Sequence, residues 1–437
     1  MTADEVCSAS LSDLVTELDR STLGAMELLD HYLDRIAERN DTVNALIQID
    51  DAAARRSARA SEQRRAAQQP LGELDGIPIV VKDNIDVAGL PTTNGLGMSR
   101  VARVDADVIK HMRAVGIIVL GKANMDEGAL SALSDNPHHG RIQHPQLPGL
   151  TPGGSSGGSA AALASGFCAA AIGTDTLGSV RLPAAYCGLV GFKPTHGAAS
   201  NHGIVTLGHS LDCPGPITRS VADSRILMDC LVHGIQTTAI SARPRWCTLE
   251  NIHWSSLTPD VMAAYTSVLD QLQQWQPAEA PLTLPDWEPA VARRSALLLI
   301  ENEAAIRWAS DRRTEPQAFS STLHAMLDYG YNASEARLNE ARARVSAAGK
   351  ALRHALAKVD LIALPTTPQS APRFDAAIPT SQADFTALAN FAGCPSISIP
   401  CSVAQGASPI GLQLISRRGS DAWLLAVGEL IEARLRE

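Results

Sequence analysis

Apolar residues recur along this chain with two different periods, and the change from one to the other predicts its architecture. Leu11, Leu14, Val15 and Leu18 fall at i, i+3, i+4 and i+7, the spacing that lays one apolar stripe along a helix. Ser10 and Asp13 stand where a helix start needs a capping pair. Leu29, Tyr32, Leu33 and Ile36 repeat the stripe, and residues 51–69, rich in Ala, Arg and Gln, suit an exposed helix. Residues 8–70 therefore read as helical, and Gly72 to Gly76 then turn the chain. Beyond that turn, short continuous apolar runs take over. These are Ile79–Val81 ending at Lys82, Ile117–Leu120 after a helix near Ala106–Val115, Ala169–Ile172, Leu361–Leu364, Ser396–Ile399 and Leu412–Ile415. Short apolar runs separated by helical stretches predict an α/β fold with one mixed sheet. Pro78 fits the start or an edge of its strand. Residues 333–359 read as a long polar helix carrying Arg337, Arg342 and Arg344. Only residues 236–290, with Trp246, Trp254, Trp275, Trp287 and many prolines, yield no pattern.

Composition narrows the function classes. The 437 residues suffice for a large core, in two or three domains or in one. The apolar share of 45% with only 4% aromatics comes mostly from Ala, Leu, Val and Ile, as expected of a helix-and-sheet enzyme. A net charge of −9 disfavours a general nucleic-acid or anionic-membrane binder, because such partners need a basic face. Cys7, Cys168, Cys187, Cys213, Cys230, Cys247, Cys394 and Cys401 are scattered with no Cys-x-x-Cys pair. They read as buried free thiols in a reducing compartment, with no cysteine-ligated metal. The start Met1-Thr2-Ala3-Asp4-Glu5 is acidic and unlike a signal peptide. No apolar run reaches the roughly 18 residues of a membrane span, so the expectation is a soluble cytoplasmic protein.

Three stretches carry candidate chemistry. Gly76-Ile77-Pro78-Ile79-Val80-Val81-Lys82-Asp83-Asn84 ends a strand on a lysine. A lysine shuttles protons at neutral pH only if burial lowers its pKa from about 10.4. Lys82 is either such a base or an ordinary strand-end lysine at the surface. Pro152-Gly153-Gly154-Ser155-Ser156-Gly157-Gly158-Ser159 runs straight into the helix-forming Ala160-Ala161-Ala162-Leu163-Ala164, which argues against a flexible linker. Gly153 to Gly157 also fits the Gly-x-Ser-x-Gly elbow, but an elbow needs a hydrophobic strand before it. The proline-rich residues 145–152 cannot supply one. In Gly173-Thr174-Asp175-Thr176-Leu177-Gly178-Ser179, small residues before a serine let successive backbone N–H groups converge, as an oxyanion hole requires.

In order and spacing, these stretches resemble the amidase signature family, the serine hydrolases with a Ser-Ser-Lys triad. Ser155 and Ser179 are 24 residues apart, as in that family. The likeness extends to Gly121–Glu127, Gly188–Thr195, Ser210–Pro216, Asn390–Pro395 and Pro409–Gln413. It implies a single α/β domain, a mixed central β-sheet covered by helices on both faces. Within it would lie an N-terminal helical part (1–70), a catalytic core (72–235), a variable substrate-side segment (236–355) and a C-terminal part returning to the core (356–437). It implies Ser179 as acylated nucleophile, Ser155 as the bridging serine held by a cis peptide, and Lys82 as general base. The oxyanion hole would be the N–H groups of Thr176, Leu177, Gly178 and Ser179, with Asp175 and Arg181 pairing to brace the loop. Ala129 and Gly154 would border the substrate. No cofactor and no metal are implied. His138, His139 and His144 lack the i, i+4 helical spacing of a metal site and read as loop packing.

Leu177 stands where the family usually carries glycine, so it either narrows the pocket mouth or meets a φ unsuited to leucine. His144 precedes Pro145 where Asn-Pro is usual. The leading expectation is an amidohydrolase acting on a small polar or urea-like amide and releasing ammonia or an amine. The alternatives are a glutamyl/aspartyl-tRNA amidotransferase A-type subunit with glutaminase activity, and a catalytically silent binding protein of the same fold. A homodimer or a small accessory subunit is compatible with any of them.

Overall fold

The structure is a computed structural model that describes all residues except 233–242, 253–255, 402, 404–405 and 437. Ten strands form one sheet: β1 (Leu46–Ile49), β2 (Pro78–Lys82), β3 (Ile118–Ala123), β4 (Ala170–Asp175), β5 (Val190–Lys193), β6 (Cys213–Thr218), β7 (Trp246–Cys247), β8 (Leu361–Pro365), β9 (Ser396–Pro400) and β10 (Gly411–Ser416). Their spatial order is β1-β3-β2-β4-β6-β5-β9-β10-β8-β7. The pairs β2/β3, β2/β4 and β7/β8 are parallel and the rest antiparallel, so the sheet is mixed. Helices cover both faces. That cover explains why the central strands read as unbroken apolar runs rather than as alternation: every residue of β2, β3 and β4 is buried.

The six strands anticipated from apolar runs are all present, with ends moved by a few residues. Pro78 opens β2, where its missing N–H costs no ladder bond. Residues 8–70 are not wholly helical, however. β1 interrupts them and pairs antiparallel with β3. Its sequence, Leu-Ile-Gln-Ile, is short and half-buried at a sheet edge, too brief to stand out from the helical stripes beside it. β5, β6 and β7 also escaped the sequence reading. β6 is Cys-Pro-Gly-Pro-Ile-Thr, whose prolines and glycine argue against a strand, yet it lies between β4 and β5. Trp254 and the 235/236 boundary lie outside the described residues.

Two contacts set the site in place. The helix Gly157–Ala164 is buried along its length. A Cβ at Gly158 would land on the carbonyls of Asn124 and Ala45, so glycine lets the helix start sit directly on the chain around β3. The helix Pro289–Arg307 lays Arg293, Ile300 and Arg307 at seven-residue intervals along one side. Ile300 packs against Gly208, Arg293 pairs with Asp384 and Arg307 donates to Thr206. Among the described residues, no helix is long and apolar enough to cross a membrane.

Candidate active site

Lys82 is the last residue of β2 and is wholly buried. Its Nζ donates to Ser155 Oγ at 2.7 Å and to Thr174 Oγ1 at 3.0 Å. Thr174 Oγ1 also accepts from Asn84 Nδ2 at 3.1 Å. Burial pushes the Lys82 pKa down to about 7, against the opposing pull of the Asp126, Asp212 and Asp175 carboxylates. Of the two sequence readings of Lys82, the structure thus has the buried one.

The glycine-serine run is held by hydrogen bonds to the chain on either side of it. The Gly154–Ser155 peptide is cis. Thr151 Oγ1 accepts from Gly153 N–H at 2.9 Å, and Ser134 Oγ donates to the Gly153 carbonyl at 2.6 Å. Ser156 Oγ bridges the main chain of Thr174, and Ser156 N–H donates to the Ser179 carbonyl at 3.2 Å. The serine stretch and the 174–179 loop are therefore tied directly together. A Cβ on Gly154 would land on Asp126 Oδ2, so this position tolerates no side chain.

The loop after β4 is organised by an ion pair. Asp175 accepts from Arg181 through both carboxylate oxygens, at 2.8 and 2.9 Å, and both residues are fully buried. Burial alone would raise the Asp175 pKa, but Arg181 holds it at about 2. Asp175 also accepts from Gly178 N–H at 2.8 Å and Val180 N–H at 3.2 Å. This corrects one expectation: the Gly178 N–H is committed to the Asp175 carboxylate and is not free for an oxyanion. The N–H groups of Thr176, Leu177 and Ser179 find no acceptor among the described residues, and they remain the loop's available donors. Ser179 itself is half-buried, the one opening in a run that is otherwise closed from Ala170 to Val180.

Leu177 needs no unusual backbone. The positive φ of this loop falls one residue later, on Gly178 at +133°. The Leu177 side chain is 7% exposed and joins the core, while its carbonyl accepts from Thr386 Oγ1 at 2.6 Å. Ala129 lies on a tight turn, Glu127–Ala129, with φ +60°. The histidines do separate work. His144 bonds the Tyr186 carbonyl through Nε2 and accepts two N–H groups at Nδ1, which is possible only with the proton on Nε2. His138 meets Glu127, and His139 meets Thr93 and the Leu96 carbonyl. The cysteines are free, buried except for half-buried Cys230.

Sequence reasoning gave no role to Thr174, Asp126 or Asp212. Burial raises both carboxyls to about 6, and both act on Lys82. Asp126 Oδ1 accepts from the N–H groups of Leu133 and Ser134, while Oδ2 has no hydrogen-bond partner within the described residues. Motif reading alone shows these residues only as neighbours. Their signal is a buried charge without a full set of partners, which appears only in three dimensions.

A buried lysine near neutral, bonded to one serine whose neighbour is tied to a second, half-open serine, is an arrangement able to support nucleophilic acyl transfer. Known proteins agree on the family. A family model described as Amidase matches residues 27–425. The chain is 33% identical to a glutamyl-tRNA(Gln) amidotransferase A-type subunit of Chloroflexus aurantiacus, over 94% of this chain and 93% of that one. It is also similar to a crystal structure of an amidase, with TM-score 0.90 and 31% identity over 98% of this chain and all of the other. A further structure comes from a vestigial protein complex described as revealing the origins of an s-triazine catabolic enzyme. There the TM-score is 0.89 with 27% identity over 97% and 98% of the two chains. The chain belongs to the amidase signature family.

Proposed function

We propose that this protein hydrolyses a carboxamide C–N bond through an acyl-enzyme on Ser179. The observation that carries the reading is the 2.7 Å bond from Lys82 Nζ to Ser155 Oγ, with both residues buried. Neutral Lys82 takes the proton of Ser155 as Ser155 takes that of Ser179, and Ser179 Oγ attacks the amide carbon. The tetrahedral oxyanion lies against the free N–H groups of Thr176, Leu177 and Ser179. Protonated Lys82 then returns its proton through Ser155 to the leaving nitrogen, releasing ammonia or an amine. Water repeats the sequence to free the carboxylate.

Two readings of the amide follow. The similarity to the structure tied to an s-triazine catabolic enzyme favours a small polar or urea-like amide, while Leu177, packed into the core, does not itself narrow the site. The amidotransferase relatives favour glutamine, with the ammonia passed on by partner subunits. The test is ammonia release across glutamine, malonamide, biuret, allophanate, an indole acetamide and a fatty amide, for the wild type and Ser179→Ala. Turnover of one amide, lost in the variant, supports the mechanism and names the substrate. Glutamine turnover with co-purifying subunits selects the second reading. Silence on every amide, with no mass increase on fluorophosphonate treatment, overturns both.

A further inference from the structure

A cavity of about 300 Å³ lies at the C-terminal end of the helix Gly157–Ala164, whereas Ser155 lies just before the start of that helix. The eight-residue helix is about 12 Å long, and no residue of the proposed triad lines the cavity, so the two places are separate. The helices Ala3–Ser8 and Ala25–Val43 and residues 187–189 complete its walls. Its volume is at the lower end of the range that holds small ligands.

Arg35, Arg39 and Arg219 line this cavity, and no aspartate or glutamate does. In a chain of net charge −9 that is unusual. The grooves lined by Arg307, Arg337 and Lys350 each include a carboxylate, from Asp86 and Asp311, from Glu340 and from Asp286 respectively. Arg35 and Arg39 are one turn apart on one side of their helix. Arg39 is half-buried, and its guanidinium has no hydrogen bond and no ion pair among the described residues. Arg35 pairs with Asp4, but the Asp4 side chain is 88% exposed, so solvent screens that pair. Arg219 donates to the main-chain carbonyls of Cys7 at 2.7 Å, Leu163 at 3.0 Å and Ala169 at 3.1 Å. The bond to Leu163 answers the carbonyl end of the helix, whose negative pole would otherwise repel an anion. The Arg219 charge meets no carboxylate among the described residues.

We infer that this cavity is an anion site and that it takes a phosphate group, free or carried on a small molecule. The planar fork of a guanidinium matches two oxygens of such a group. Three positive charges around one space, with no carboxylate in its walls, favour a doubly charged oxyanion. A bland reading, in which Arg219 only caps a helix and Arg35 only tethers Asp4, leaves Arg39 without a task and predicts no saturable anion binding.

Calorimetric titration of the wild type with inorganic phosphate, at an ionic strength fixed with sodium chloride, should show saturable binding of one ion per chain. Arg39→Gln should weaken that binding at least tenfold, and Arg39→Lys, which keeps the charge but not the fork, should weaken it less. Without phosphate the three proteins should unfold at the same temperature, because Arg39 holds nothing else in place. With phosphate the wild-type midpoint should rise and the Arg39→Gln midpoint should stay where it was. Glycerol phosphate separates the two sources. Tighter binding than phosphate assigns the site to a phosphate carried on a small molecule, and equal or weaker binding assigns it to the free ion. No saturable binding of either probe, or binding that Arg39→Gln leaves intact, overturns the inference.

Discussion

A lysine can serve as a base at neutral pH only if its ammonium form is disfavoured, and Lys82 is placed to meet that demand. Desolvation pulls its pKa down to about 7, and the carboxylates of Asp126, Asp212 and Asp175 limit the fall. Asp175 is answered by Arg181, so Asp126 and Asp212 are the charges that remain to stabilise the ammonium that the proposed acylation would form. The sign of the pH dependence follows. The base works when neutral, so kcat/KM should rise with pH through about 7. Asp126→Asn keeps an oxygen for the Leu133 and Ser134 N–H groups but removes the negative charge. The ammonium then loses support, and the acid limb should move to lower pH by about one pH unit, with a lower plateau from the weaker base. A purely structural role for Asp126 would lower activity at all pH values and leave the limb where it was. A pH profile of kcat/KM for the two proteins decides between them.

Elements position these residues by approaching more closely than side chains allow, and glycine is the means. The start of the Gly157–Ala164 helix sits on the Asn124 and Ala45 carbonyls at Gly158, and Asp126 presses on Gly154. Gly158→Ala should therefore cost several kcal/mol, well beyond the roughly 1 kcal/mol that a helical glycine ordinarily gains on becoming alanine. Chemical denaturation of Gly158→Ala beside Ala160→Gly, in the same helix, measures the contrast. A Gly158→Ala protein as stable as wild type would mean that the helix can shift without loss. These glycines also show what the sequence makes legible. The runs feeding β2, β4, β8, β9 and β10 are continuous and apolar because both faces of the sheet are covered, so a local pattern identifies them. β6 is invisible to the same reasoning, because its Pro-Gly-Pro is held as a strand by neighbours on both sides rather than by propensity. Spacing brought Lys82, Ser155 and Ser179 forward together. It could not show that Gly178 N–H is taken by Asp175, since that depends on where a carboxylate turns.

At the scale of the whole molecule, the site is assembled from segments far apart in the chain. Lys82, Ser155 and Ser179 all lie before residue 235. The loop that presents Ser179, however, is held from the other end of the protein. Arg181 Nη1 donates to the Thr386 carbonyl at 2.8 Å and to Gln413 Oε1 at 2.6 Å, and Nη2 donates to Asn390 Oδ1 at 2.7 Å. Asn390 Nδ2 in turn donates to Asp175 Oδ1 at 2.9 Å, and Thr386 Oγ1 caps the Leu177 carbonyl. β9 and β10 continue the sheet beyond β5, so their loss would also leave β5 as a bare edge. Removing these partners leaves Asp175 as the counter-charge but unmakes the other hydrogen bonds of the guanidinium, at about 1–3 kcal/mol for each buried group left unsatisfied, a large part of the stability of an ordinary domain. A truncated chain of residues 1–235 thus contains every residue of the proposed triad but should neither unfold cooperatively nor react at Ser179 with a fluorophosphonate. Supplying residues 356–437 as a separate chain should restore labelling only if the two pieces reassemble the sheet. Labelling of the truncated chain at the full-length rate would show instead that the N-terminal half forms the site unaided, and that the Arg181 contacts serve stability alone.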